Sequence, residues 1–212
     1  MWSLILWGLS DPTQESQRIW YTVKFAQGVE AMVIKAMIKI LLSSFFFVIS
    51  LSGGAVAQNL IKTGQWSYID DTVMGGFSEG TAEFQSNGSD KMMRLTGEVS
   101  TENNGGFIQV RSSVPWKLAK GKTGIKLKIK GNGEQYFLHI RNSSTRLPWH
   151  YYQLGFGTSE TWGEVELPFD AFIKSSSFLR APMNQNTIKT IGIVAYGKDY
   201  TADISVMSLE FY

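Results

Sequence analysis

From Gln58 onward, apolar residues recur at every second position rather than every third or fourth. Ile125, Leu127 and Ile129 alternate with Lys126, Lys128 and Lys130, which predicts a strand with one dry and one wet face. Gly131-Asn132-Gly133 reads as a turn. Tyr136, Leu138 and Ile140 then alternate with Phe137, His139 and Arg141, so the two runs are expected to pair as a hairpin. Tyr152, Leu154 and Phe156 repeat the pattern, as do Val165 and Leu167 against Glu164 and Glu166. Further strands are expected at residues 92–99, 107–111, 191–195 and 204–211. Pro168 should end a strand, because it has no N–H to give to a ladder. Residues 168–177 allow one helical turn at most. About ten short strands without helical crossovers predict an all-β fold, an antiparallel β-sandwich of the jelly-roll kind. With no repeat or linker after Gln58, residues 58–212 form one domain.

The segment before that domain follows a different rule. Residues 37–57 place Lys39 ahead of an apolar run from Ile40 to Leu51, then small residues, then Ala55-Val56-Ala57. This order is that of an export signal cleaved after Ala57, and the run is short for a membrane span of roughly 20 residues. Such a signal belongs at the start of a chain, so residues 1–36 read as a mis-called N-terminal extension, with translation beginning at Met32 or Met37. The expected address is periplasmic or secreted.

Charge and cysteine content narrow the function. Twenty Lys and Arg against 18 Asp and Glu leave a net charge of +2, too even for nucleic acid to be the partner. No cysteine is present, which removes disulfides, thiol catalysis and thiolate metal sites.

Candidate catalytic groups do not assemble. Gly76-Phe77-Ser78-Glu79-Gly80 has the spacing of a nucleophile elbow, but that device needs a strand, a sharp turn and a helix. An alternating strand follows instead, so a glycine-rich surface loop is expected. The two histidines, His139 and His150, lack the i, i+4 helical spacing of a zinc site. Adjacent Asp70 and Asp71 point to opposite faces of an extended chain and make no acid/base pair; one of them is better suited to tying a turn by accepting backbone N–H groups. No catalytic residue, metal or cofactor is expected. What remains is a wet sheet face on which alternation gathers Gln109 and Arg111, His139 and Arg141, and Tyr151 and Gln153. Planar donors beside an aromatic suit a peptide or a sugar. The competing reading is a solvated face whose lysines pair with Glu164 and Glu166. A sugar site would also draw on Trp149 and Trp162.

Two segments carry more than composition. Residues 66–80, WSYIDDTVMGGFSEG, and 96–111, TGEVSTENNGGFIQVR, resemble the paired motifs of the complex I intermediate-associated protein 30 family. The matching positions are Trp66, Asp70, Asp71, Val73, Met74, Gly75, Gly76 and Ser78, then Gly97, Ser100, Asn103, Asn104, Gly105, Gly106, Phe107 and Arg111. Residues 124–141 and 162–172 are similar to the family as well. The resemblance implies a galactose-binding-like jelly roll and a non-catalytic assembly role. Its partners would be proteins, membrane-complex subunits among them, while a carbohydrate-binding module is the alternative. Mitochondrial members act on the matrix side, whereas the export segment directs this chain elsewhere. Paired glycines mark two places of positive φ or close backbone approach. The two loops are therefore expected to touch, with Asp71 or Asn104 bonding the other loop's backbone and Arg111 partnering Asp70 or Asp71.

Overall fold

In a computed structural model of the chain, the described residues are 58–87 and 90–212, together with Lys35. The export segment 37–57, and the extension before it apart from Lys35, lie outside the described residues. Eleven strands follow a four-residue helix, α1, at Leu60–Thr63. They are β1 Trp66–Asp70, β2 Glu79–Asn87, β3 Asp90–Val99, β4 Phe107–Ser113, β5 Gly124–Gly131 and β6 Gln135–Asn142. Then come β7 Tyr152–Gly157, β8 Gly163–Pro168, β9 Ile173–Lys174, β10 Ile188–Tyr196 and β11 Tyr200–Phe211.

The strands form two sheets, ordered β1-β4-β10-β6-β7-β9 and β2-β3-β11-β5-β8, with antiparallel pairing throughout. Only β2–β3 and β6–β7 are neighbours both in sequence and in a sheet; most other connections change layer, as a jelly roll requires. One expected pairing is wrong. β5 and β6 do not form a hairpin, because β5 pairs with β8 and β11 while β6 pairs with β7 and β10. The Gly131-Asn132-Gly133 turn carries the chain from one sheet to the other. A Cβ on Gly131 would come within 2.9 Å of the Asp203 carbonyl oxygen, so glycine permits that close passage.

The core is the dry half of each alternating strand. Ile108, Val110, Tyr136, Leu138, Ile140, Ile191 and Ile193 of one sheet meet Met93, Leu95, Ile125, Leu127, Ile204 and Val206 of the other. Each such side chain contributes about 1.5–3 kcal/mol on leaving water. Tyr136 also ties the layers with polar bonds: its hydroxyl donates to Asn132 Oδ1 at 2.8 Å and accepts the Asp203 N–H at 2.8 Å. A bulge in β11 between Val206 and Ser208 leaves backbone groups needing partners. Asn59 supplies them, donating to the Met207 oxygen and accepting from Leu209 N–H while capping α1.

Candidate functional site

The two glycine-paired loops meet at one end of the sandwich, and Asp71 joins them. Residues Asp71–Met74 form a single 3-10 turn, after which Gly75 takes a φ of 89° and reverses the chain. The Asp71 side chain is fully buried and accepts four bonds. They come from Ser78 N–H at 2.9 Å, Ser78 Oγ at 2.5 Å, Phe107 N–H at 3.1 Å and Gly106 N–H. Burial opposes the charged form. The hydrogen bonds from Gly106, Ser78 and Phe107 outweigh it and hold the carboxyl below its ordinary range. Asn103, itself at a φ of 54°, donates from Nδ2 to the Gly75 oxygen at 2.5 Å. The second cross-loop tie is therefore Asn103; the Asn104 side chain lies outside the described residues.

Each glycine of a pair has a separate task. Gly75 and Gly106, at φ of 89° and 122°, supply backbone that L side chains rarely adopt. Gly76 and Gly105 supply room, because a Cβ there would fall 2.4 Å and 2.5 Å from Asp71 side-chain atoms.

Three sequence expectations need correcting. Arg111 partners neither aspartate, since the β1–β4 register sets it opposite Ser67 and sets Asp70 opposite Ile108. Asp70 instead accepts from Thr72 N–H at 3.2 Å, and Arg111 Nη2 donates to Gln109 Oε1 at 3.0 Å. Trp66 stands at the far end of β1 from the loops, where its Nε1 donates to the Leu60 oxygen at 3.1 Å. Ser78 is not on a surface loop edge but fully buried; its Oγ is bonded to Asp71 and accepts Ser100 N–H at 3.0 Å, and strand β2 follows it.

The outer face of the six-stranded sheet gathers the other named residues. In register, Arg111 (β4), Gly192 (β10), His139 (β6) and Gln153 (β7) form one row across four strands. Gln109, Val194 and Phe137 make the adjacent row. Tyr151 stacks on His139 with ring centroids 4.1 Å apart, and Tyr196 meets both His139 and Phe137 edge-on. Arg141 Nη2 donates to the Leu147 oxygen at 2.9 Å. The sequence reading missed the β10 contribution, Gly192, Val194 and Tyr196.

This face is unlike its counterpart. On the five-stranded sheet, Lys126 pairs with Glu166 at 2.8 Å and Arg94 with Asp203 at 2.7 Å, the pattern of a solvated, charge-paired face. The six-stranded sheet has two arginines and no carboxylate at the outward strand positions. Burial and the charge of Arg141 both act against the Arg111 cation. His139 Nε2 and Gln153 Oε1 are buried and make no close hydrogen bond, although Gln153 stands near enough to His139 to favour its charged form. Gln109, on the same nominally wet side, is only 5% exposed. Trp162 is elsewhere, beside the five-stranded sheet under the Lys130 ammonium, whereas Trp149 is exposed close to Tyr151 in the chain. Among the described residues no group of three metal-ligating side chains occurs.

Burial pushes His139 down to about 4; Gln153 opposes that shift and the Arg111 charge adds to it. An unfolded imidazole takes its proton near pH 6.5. Between those values the unfolded chain binds more protons, so stability is expected to fall as pH drops from 6.5 to 4, by up to about 3 kcal/mol. Urea denaturation across this window checks it: His139→Gln should flatten the slope, and an unchanged slope would remove His139 as its source.

An antiparallel jelly roll of the galactose-binding-like type, with its polar and aromatic groups collected on one sheet, is the class of module these features define. Residues 56–205 match the complex I intermediate-associated protein 30 family, and the chain belongs to that family. No curated protein sequence matches it. Among solved structures it is similar to the family 11 carbohydrate-binding module of the cellulosomal cellulase Lic26A-Cel5E of Clostridium thermocellum. Identity is 14% and the TM-score 0.55, over 76% of this chain and 91% of that one. The Clostridium thermocellum family 11 module in complex with a beta-1,3-1,4-mixed-linked tetrasaccharide is similar at 15% identity and a TM-score of 0.56, over 76% and 92%.

Proposed function

We propose that this is an exported, non-catalytic binding factor of the assembly type, which holds a protein partner on the outer face of its six-stranded sheet. The observation that carries the reading is the Arg111–Gly192–His139–Gln153 row. It sets the half-buried Arg111 cation in line with His139 and Gln153, whose side-chain polar atoms are buried, and no outward strand position of that sheet supplies a carboxylate. Buried polar groups are normally well paired, so the weakly satisfied His139 and Gln153 atoms leave hydrogen-bonding capacity for a ligand. Membership of the complex I intermediate-associated protein 30 family supports a protein partner, with membrane-complex subunits as candidates. Export rests on the order of residues 37–57.

A carbohydrate ligand is the second reading. The His139–Tyr151 stack favours it, together with the fold shared with a module solved with a tetrasaccharide. Proximity labelling by the full-length protein in its native compartment separates the two. Membrane-protein subunits should be labelled, and Arg111→Ala with Tyr151→Ala should lower their recovery at least tenfold. Unchanged recovery would overturn the assignment to this face. Retention on a glycan array, lost in the same variants, would replace the protein partner by a sugar.

A further inference from the structure

A second surface stands apart from the sheet face and does not depend on how that face is read. Val73, Met74 and Phe77 are 71%, 63% and 61% exposed, three large apolar side chains within five residues. They sit on a loop that hydrogen bonds hold in place from two sides. Asp71 pins it from beneath with four bonds, Gly76 N–H closes it onto the Asp71 oxygen at 3.0 Å, and Asn103 ties Gly75 from the side. Apolar groups on a mobile loop can turn inward; on a fixed one they stay in water, which costs free energy unless something covers them. A fixed loop also loses little conformational freedom when a partner arrives.

The rim around the loop has one sign of charge. Asp70 precedes it, Glu79 follows it, Glu98 lies directly across the β2–β3 ladder from Glu79, and Glu102 neighbours Asn103. None of the four is in an ion pair among the described residues. Like charges placed directly opposite each other on a ladder weaken it, and a cationic partner would relieve this. We infer that Val73, Met74 and Phe77 with this acidic rim form a docking surface for a protein segment that presents apolar side chains beside Lys or Arg.

The test uses the full chain and two synthetic peptides of equal leucine and phenylalanine content, one spaced with Lys and the other with Glu. The Lys peptide should be retained, more weakly as salt rises. Met74→Ser with Phe77→Ser should lose at least tenfold in affinity while the thermal transition stays in place, since both side chains are exposed. Glu79→Gln with Glu98→Gln should flatten the salt dependence. Failure to retain the Lys peptide, equal retention of the Glu peptide, or undiminished binding by the Met74/Phe77 variant would overturn the inference. Binding that appears only on phosphatidylcholine vesicles, or self-association that the Met74/Phe77 variant abolishes, would overturn it in favour of a lipid surface or a second copy.

Discussion

Replacing Asp71 by alanine should destabilise the protein by roughly 3–5 kcal/mol, among the largest effects of any single substitution here. The carboxylate receives three backbone N–H groups and one hydroxyl, from Ser78, Gly106 and Phe107. Removing it leaves those donors facing a space made for an anion, each at a cost of about 1–3 kcal/mol, partly recovered by water. Asp71→Asn keeps the shape but turns an NH₂ group toward donors, so it should recover only part of the loss. Acid provides a second route to the same break. Because the native carboxyl is held below its ordinary range, its contribution is complete above the unfolded value near 3.8 and is lost as pH falls through the lower native value. That window lies beneath the one assigned to His139, so a stability–pH series separates the two groups. Urea denaturation at pH 7 measures the first effect, and a loss under 1 kcal/mol would show that the two loops are held by something else.

How much of this was legible in the sequence depends on the range of the signal. Period-two alternation is local, and it located β5, β6, β7 and β8 within a residue or two, while apolar runs marked parts of β10 and β11. Strand partners are not local. Gly131-Asn132-Gly133 has the composition of a hairpin turn, yet it crosses between layers, because β5 finds its neighbours in β8 and β11, distant along the chain. β10 hid its outward residues for a related reason. A central strand covered on both sides reads as one apolar run, so Val194, 1% exposed on the outer face, could not be told from Ile193 on the inner one. Helix α1 has four residues, too few to show a period. Five of the six residues named for the binding face share one side of one sheet, since alternation within β4, β6 and β7 fixes parity without knowledge of the order of strands, and Tyr151, just before β7, joins them by stacking on His139. The Arg111–aspartate pairing failed because it needed the β1–β4 register, which no local pattern contains.

The glycine doublets lead to the other large effect. Gly76→Ala would place a Cβ 2.4 Å from the Asp71 carboxyl carbon, and Gly105→Ala would place one 2.5 Å from Oδ2. A free carboxylate could swing aside; one gripped by four hydrogen bonds cannot without releasing them. Either substitution should therefore cost nearly as much as losing the clamp, about 3 kcal/mol or more. Gly75→Ala differs, because the nearest atom is 3.4 Å away and only the positive φ is penalised, at roughly 1–2 kcal/mol. A double-mutant cycle distinguishes these mechanisms. With Asp71→Ala already in place, the carboxylate is gone and the Asp71 Cβ position, 2.9 Å from the new side chain, is what still crowds it, so Gly76→Ala should cost clearly less than in the native background. Gly75→Ala should cost about the same in both backgrounds, since its strain lies in its own backbone. Additive behaviour of Gly76→Ala with Asp71→Ala would mean that Gly76 serves its own conformation rather than the carboxylate beneath it.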